Sequence, residues 1–481
     1  MKFSIEENKF VEQDVDPDLL AVSGEDKNLS WKELEATAAL FERKLRSLGL
    51  KSGQAVGILG HKQGDYLAAI CACIKLGCPY IPMDDIYPKE RISKILYIAD
   101  VFCQINLETN TIETSFMGNL LHEYPKADDL IYIIFTSGST GDPKGVQISR
   151  ESVLSMLQWM EEDFFLPKET IFMNQAPFSF DLSVYEIMYT LNFGKTLILN
   201  SREQIKNYQS FLGRLQENKV NTWVSTPSFA WSQCIAENFN SNFLPAIEYF
   251  LFCGEILPKK LVKKLKLLFP TARIFNTYGP TEATVATTLV EITEEILNKY
   301  ETLPIGYPKK GTLVYIDKDN QICIVGANVM KGYLNRQDLN ETKMFTQGGL
   351  RGFKTGDLGA IKDDLLFCQG RMDDQIKLHG YRIELSEIDH ALTKINGIKV
   401  ATTLPIKRGE DVSRIVSFIK FDVQSSLTFS HFKEDLNRSL PTYMIPTEFF
   451  IIDELPMSSN HKIDRKKLLE IYQSNSLKKW S

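Results

Sequence analysis

The chain has 481 residues, too many for one compact core, so two or more domains are expected. Its composition, 43% hydrophobic and 24% charged, is that of an ordinary globular enzyme, and a formal net charge of −6 argues against nucleic acid as a partner. No apolar stretch reaches membrane-spanning length, and Met1-Lys-Phe-Ser-Ile-Glu lacks the apolar core of a signal peptide, so no membrane insertion and a cytoplasmic location are expected.

In chain order, Ser30-Trp-Lys-Glu33 has the spacing of a capping box, with Leu34, Ala38, Phe41, Leu45 and Leu48 at helical intervals and Gly49 as the stop. Gln54 to Gly60 reads as a strand and Asp65 to Leu76 as a helix. Cys71, Cys73 and Cys78 lie in or beside that apolar pattern; with no second pair at zinc spacing they read as buried thiols. Residues 104–129 have weak periodicity and read as a connecting loop. Leu130 to Phe135 reads as a buried strand, as do Lys195–Leu199, Val220–Ser225, Glu248–Phe252 and Arg273–Asn276, with helical patterns between most of them. This alternation predicts an α/β fold with a largely parallel sheet. Pro258 to Phe269 reads as a helix with lysines, Lys263 and Lys264 among them, on one side, either a solvated face or a docking surface. From about Pro304 to Gln369 short strands with polar turns predict a hairpin-rich subdomain, and residues 374–481 mix helices with strands.

Five blocks carry chemistry. The strand ending at Phe135 empties into Thr136-Ser137-Gly138-Ser139-Thr140-Gly141-Asp142-Pro143-Lys144-Gly145. Glycines let the backbone come close, and amides and hydroxyls donate to anionic oxygens, which is the chemistry of a phosphate grip. A Walker A loop is excluded, because Lys144 follows Pro143 and precedes Gly145. Asn276-Thr277-Tyr278-Gly279-Pro280-Thr281-Glu282 follows a strand into a turn, and its carboxylate beside hydroxyls suits Mg²⁺ on phosphates, or is simply a solvated turn residue. Asp357 in Lys354-Thr-Gly-Asp357 is either an Asx-turn residue or an acceptor for ribose hydroxyls. Gly370-Arg371-Met-Asp373-Asp374 and the charged residues to Glu384 read alone as a surface strand, and Asn460-His461-Lys462-Ile-Asp464-Arg465 as a basic tail.

In this order and spacing, and together with Phe178-Ser-Phe-Asp181-Leu182-Ser-Val, Ile324-Val-Gly326, Gly332-Tyr333 and Leu440-Pro-Thr-Tyr-Met444-Ile-Pro446, the blocks resemble those of adenylate-forming enzymes, specifically the amino-acid adenylation enzymes, over about residues 10 to 470. The resemblance implies a large N-terminal core over 1–372 with its β-rich subdomain at about 304–370, a hinge at Asp373, and a small mobile α+β domain over 374–481. It implies that ATP, with Mg²⁺, and an amino acid form an aminoacyl-adenylate, and that the phosphopantetheine thiol of a carrier protein then takes the acyl group. Mapped here, Thr136, Ser137, Gly138, Ser139, Thr140 and Lys144 would grip phosphate. Asn276, Thr277, Tyr278, Gly279, Pro280 and Thr281 would line adenine and the α-phosphate, with Tyr278 stacked on the base. Glu282 would hold Mg²⁺, Asp357 the ribose with help from Cys368, Gln369, Gly370 and Arg371, and Lys462 would bridge the substrate carboxylate and ATP.

The resemblance gives Asp181 the substrate ammonium, since a buried cation needs a carboxylate partner; a helix N-cap is the alternative. The matched pocket positions Leu182, Tyr185, Val224, Leu251, Cys253, Thr277, Val285 and Ala286 carry no second charge, which implies a small uncharged amino acid. Thr136 to Ser149, Phe252 to Glu255 and Ile376 to Tyr381 are most similar to members that activate D-alanine, and Cys253 agrees. In that case the charged carrier would feed D-alanylation of teichoic acids. Tyr185 stands where such members usually carry Met, and His461 where Gly usually precedes the lysine. L-alanine, glycine or another small amino acid for specialised peptide synthesis is the alternative. Asp181 disfavours an acyl-CoA synthetase, and Lys462, Glu282, Asp357 and Arg371 together disfavour a nucleotide-binding regulator without chemistry. With no carrier domain in the sequence, a separate carrier protein, of an acidic kind, is expected to be the partner.

Overall fold

The computed structural model describes residues 1–13, 15–114, 129–138, 141–378, 380–408, 411–422, 427–456, 463–474 and 477–480. The chain forms two compact units: Met1–Asp85, Leu96–Phe135 and Gly145–Met372 in the first, and Ile86–Ile95, Thr136–Lys144 and Asp373–Ser481 in the second. Among the described residues no helix is long and apolar enough to cross a membrane.

Two large sheets build the first unit. One has the strand order Tyr307–Pro308, Thr288–Glu291, Arg273–Tyr278, Tyr249–Phe252, Thr222–Ser225, Ile171–Asn174, Thr196–Leu199, Leu20–Ser23, Asn28–Ser30. The six strands from Arg273–Tyr278 to Leu20–Ser23 run parallel. Tyr249-Phe-Leu-Phe252 and Thr222-Trp-Val-Ser225 are buried at every position, as strands covered on both faces must be. The other sheet has the order Gly332–Tyr333, Lys144–Ser149, Leu130–Thr136, Tyr80–Met83, Val56–Leu59, Cys103–Asn106, Thr111–Thr114. Helices cover these sheets. Trp31–Ser47 starts at Ser30, whose side chain accepts from the Glu33 amide while Glu33 reaches back, the capping box read from sequence. Its Leu34, Ala38 and Leu45 are buried, and Gly49 ends it with φ +84°.

Residues 313–371 form an antiparallel sheet around the long strand Leu350–Lys362, which pairs with Gln321–Val325, Met344–Gln347 and Leu365–Arg371. In the second unit, Ile398–Arg408, Asp411–Phe421, Glu448–Ile451 and Lys478–Lys479 make a sheet, and Gln375–Leu378 with Tyr381–Glu384 make a separate hairpin. Helices Leu385–Thr393 and Phe429–Ser439 pack Ile388, Leu392, Phe432 and Leu436 into that unit's core.

The connecting loop expected at 104–129 is corrected in its first part. Cys103–Asn106 and Thr111–Thr114 pair antiparallel as an edge hairpin. The first of these strands alternates buried and half-buried residues over only four positions, too few to register as a period against polar surroundings. The rest of that stretch, 115–128, lies outside the described residues.

Candidate active site

The carboxyl ends of three adjacent parallel strands gather one set of side chains. Val224 and Leu251 stand in register, Cys253 follows its strand directly, and Thr277 lies near the end of the next. Open parallel sheets bind ligands at this edge. The Thr277 hydroxyl donates to the Phe252 carbonyl at 2.8 Å and so ties two of these strand ends together. Asp181, Leu182 and Tyr185 come from the turn before helix Ser183–Phe193 and its first turn, and all three are buried. The cap position is Leu182 and no side chain caps the helix, so the N-cap alternative for Asp181 is set aside. Tyr185 is fully buried. Burial pushes that phenol far up, with Cys253 adding to the shift, the Thr277 hydroxyl opposing it and Asp181 adding again. The Cys253 thiol faces the Val285 carbonyl at 3.8 Å. Thr284 and Val285 have φ of +57° and +70°, a left-handed conformation that is costly for branched residues and is concentrated at functional sites.

A second set lies at the turn after Tyr278. The Tyr278 hydroxyl donates to one Asp357 oxygen at 2.6 Å, and Arg371 donates to the other at 2.7 Å. Antiparallel register makes this possible, because Asp357 and Arg371 are paired residues on neighbouring strands. The Asp357 amide donates to the Thr355 hydroxyl, and Gly356 turns with φ +79°. Asn276 is held by its amide on the Pro304 carbonyl at 2.7 Å. A side chain on Gly279 would meet the Ala286 backbone at 2.4 Å, so the position demands glycine. Pro280 and Thr281 lead into the 3₁₀ turn Thr281–Ala283. There Glu282 is completely buried and its carboxylate accepts from the Tyr333 hydroxyl at 2.5 Å. A lone buried carboxylate is the protein share Mg²⁺ takes when phosphates and water fill its other positions, so Glu282 fits that ion. On the adjoining strand Cys368 and Gly370 are half-buried and Gln369 is exposed.

The glycine-rich loop belongs to the second unit. The Ser137 hydroxyl donates to the Arg382 carbonyl at 2.9 Å, and the Gly138 amide donates to Glu387 at 3.1 Å. The Lys144 ammonium lies 3.4 Å from Glu384, and Arg91 pairs with Glu387 at 2.7 Å. The loop's amide and ammonium thus face carboxylate oxygens, hard anionic acceptors of the kind a phosphate presents. The Thr136 hydroxyl is buried and has no hydrogen-bond partner among the described residues. A side chain on Gly138 would meet the Asp142 carbonyl at 2.1 Å. Ser139, Thr140 and Lys462 lie outside the described residues.

Sequence reading gave no role to two buried groups beside these sets. Tyr333 is noted only for its place in a motif, and its hydroxyl holds Glu282. Lys62 is fully buried and donates to Asn174 and to the Ala176 carbonyl, just before Asp181. The available signal was a lysine directly after a buried strand, Val56–Leu59, in Gly60-His-Lys-Gln. His61, Asp84 and Asp85 bring together three potential metal-ligand atoms. The Arg202 guanidinium binds both aspartates and lies 3.1 Å from His61 Nδ1, so a fixed cation already serves this cluster.

Side chains gathered at parallel strand ends, with a carboxylate set by Tyr278 and Arg371, fit an AMP-binding enzyme. Residues 11–334 match that family, and the chain belongs to it. At finer grain, the chain is 38% identical over 485 residues to the D-alanine–D-alanyl carrier protein ligase of Bacillus licheniformis, covering 94% of this chain and 96% of the relative. Among solved structures, a double mutant of the o-succinylbenzoate CoA synthetase (MenE) of Bacillus subtilis covers all of both chains with a TM-score of 0.83 at 19% identity. The Vibrio cholerae adenylation domain AlmE, bound to glycyl-adenosine-5'-phosphate, covers 97% of this chain and 99% of its own with a TM-score of 0.80 at 20% identity. These two structures bear on the fold alone.

Proposed function

We propose that this chain activates D-alanine with ATP and passes it to the phosphopantetheine thiol of a carrier protein. In the first step a carboxylate oxygen of the amino acid bonds to the α-phosphorus, the bond to the pyrophosphate oxygen breaks, and pyrophosphate leaves. In the second the thiol, losing its proton, bonds to the acyl carbon and AMP leaves. The observation that carries the reading is Asp181. It is a buried carboxylate just before helix Ser183–Phe193, and the pocket positions matched to the family, Leu182, Tyr185, Val224, Leu251, Cys253, Val285 and Ala286, are buried too and carry no second fixed charge. Asp181 suits an ammonium group. The uncharged neighbours suit a methyl side chain, and the substrate named for the B. licheniformis relative supports D-alanine.

Asp357, set by Tyr278 and Arg371, is oriented to accept the ribose hydroxyls. The loop from Thr136 to Lys144 supplies amide, hydroxyl and ammonium donors for phosphate oxygens. Lys462 is assigned the junction of the two anions, where a compact ammonium on a long stem offsets repulsion of several kcal/mol in a low-dielectric site. Asp373 is assigned the hinge that exchanges the two steps. Bound at Glu282, Mg²⁺ would neutralise phosphate charge. The reading is cytoplasmic, with ATP as substrate and all eight cysteines as thiols, as a reducing compartment maintains them. Tyr185, larger than the Met usual in D-alanine activators and fully buried, gives glycine as the second reading, because it narrows the pocket.

Asp181→Ala is expected to abolish amino-acid-dependent exchange of pyrophosphate into ATP while AMP affinity, read by calorimetry, stays within about twofold, since the ribose and phosphate contacts are separate. Retention of amino-acid activation in this variant would remove Asp181 from its role.

A further inference from the structure

Lys62 is one of the largest fully buried side chains in the protein, and nothing in the reaction above uses it. It follows the strand Val56–Leu59, and its ammonium donates to the Asn174 side chain and, at 2.6 Å, to the Ala176 carbonyl. It also lies 4.6 Å from the centre of the Phe178 ring, which packs on Tyr66 at 4.3 Å. Asn174 in turn donates to Glu186 at 3.2 Å, and Glu186 is fully buried, with one carboxylate oxygen lacking a partner. Asn174 and Ala176 precede Asp181; Glu186 follows it, adjacent to Tyr185 in the helix Ser183–Phe193. The ammonium thus holds the chain before Asp181 directly and reaches Glu186, after it, through the Asn174 amide.

We infer that Lys62 is a positioning residue for amino-acid binding, acting through Asn174, Ala176 and Glu186 to fix the Asp181 turn against the strand ends. This rests on the reading that Asp181 receives the substrate ammonium. Stability alone does not account for the arrangement. Burial pushes the Lys62 ammonium down to about 7, against the attraction of Glu186 and Asp84 and with Arg202 adding repulsion, and burial drives the Glu186 carboxyl well up. Burying a lysine and a carboxyl costs desolvation that apolar residues would not incur, so their presence beside a binding turn points to geometry. A displacement of the order of 1 Å at such a turn is enough to cost substrate binding heavily.

The test compares wild type, Lys62→Arg, Lys62→Met and the double variant Lys62→Met with Glu186→Gln, which removes both titratable groups so that neither is left buried without its counterpart. KM for D-alanine and for ATP are read from pyrophosphate exchange, with melting temperature alongside. Affinity for alanyl-sulfamoyl-adenosine relative to AMP is read by calorimetry, so that binding is measured without turnover. The double variant is expected to melt close to wild type, to raise KM for D-alanine by about 10-fold or more and to weaken the analogue in proportion, with KM for ATP within about twofold. Lys62→Arg is expected to recover part of the loss. A double variant with wild-type KM for D-alanine, or with equal losses for both substrates, would overturn the inference. If wild type itself neither exchanges with any small amino acid nor prefers the analogue to AMP, the reading of Asp181 falls and the inference with it, a result distinct from a failure confined to the variants.

Discussion

Asp84 shows how single residues in this protein carry charge inside a core. Burial alone would raise its carboxyl, but the hydrogen bond from His61 at 2.9 Å and the charges of His61 and Arg202 outweigh burial and hold it well below the usual carboxylate range. A carboxyl depressed in the folded state contributes stability that is present above its unfolded value, near 3.8, and is lost as pH falls through the folded one. Melting temperature measured between pH 2 and 5 is therefore expected to fall less steeply in Asp84→Asn than in wild type, and an unchanged slope would show that the cluster is not linked to folding. At this scale the sequence was legible where a residue acts within a contiguous motif. Asp181 stands out in Phe178-Ser-Phe-Asp181, and Asp357 in Lys354-Thr-Gly-Asp357. Lys62 was not legible, because its partners Asn174 and Ala176 are 112 and 114 residues away. Tyr333 was opaque for the same reason, with Glu282 51 residues away.

Elements were readable when their own residues dictate them. Ser30 and Glu33 specify the start of helix Trp31–Ser47 by satisfying backbone amides that the helix leaves unpaired. Ser30→Ala is expected to lower the unfolding free energy by about 1 kcal/mol in denaturant titration, with activity unchanged. A loss several times larger would mean that this helix supports the fold through more than its cap. The strand Leu130–Thr136 announced itself by an unbroken apolar run, buried at six of its seven positions. The hairpin Cys103–Asn106 with Thr111–Thr114 did not, because a short edge pair exposes one face and its polar residues read as loop. The left-handed backbone at Thr284 and Val285 was also hidden, since neither residue is of a type that favours it. Tertiary contacts hold it there, among them the Thr284 hydroxyl donating to the Asn328 carbonyl at 2.7 Å.

The whole molecule divides in a way that local pattern does not reveal. Thr136–Lys144 and Ile86–Ile95 group with Asp373–Ser481, through contacts such as Gly138 with Glu387, 249 residues apart, and Arg91 with the same carboxylate. The class of fold, by contrast, was legible from alternation alone: apolar strands separated by helices require a parallel sheet covered on both faces, and the large sheet of the first unit is parallel across six strands. Membership of the AMP-binding family agrees with the motif order read from sequence. What neither the fold nor the family specifies is the amino acid, which depends on a few side chains around Asp181.

The central claim is therefore tested most directly by amino-acid-dependent exchange of pyrophosphate into ATP across D-alanine, L-alanine, glycine and L-serine, with Lys462→Ala as control. The account predicts strong exchange with D-alanine, clearly weaker exchange with the other three, and near loss of exchange in the control. Preference for any other amino acid, or exchange undiminished in Lys462→Ala, would contradict it.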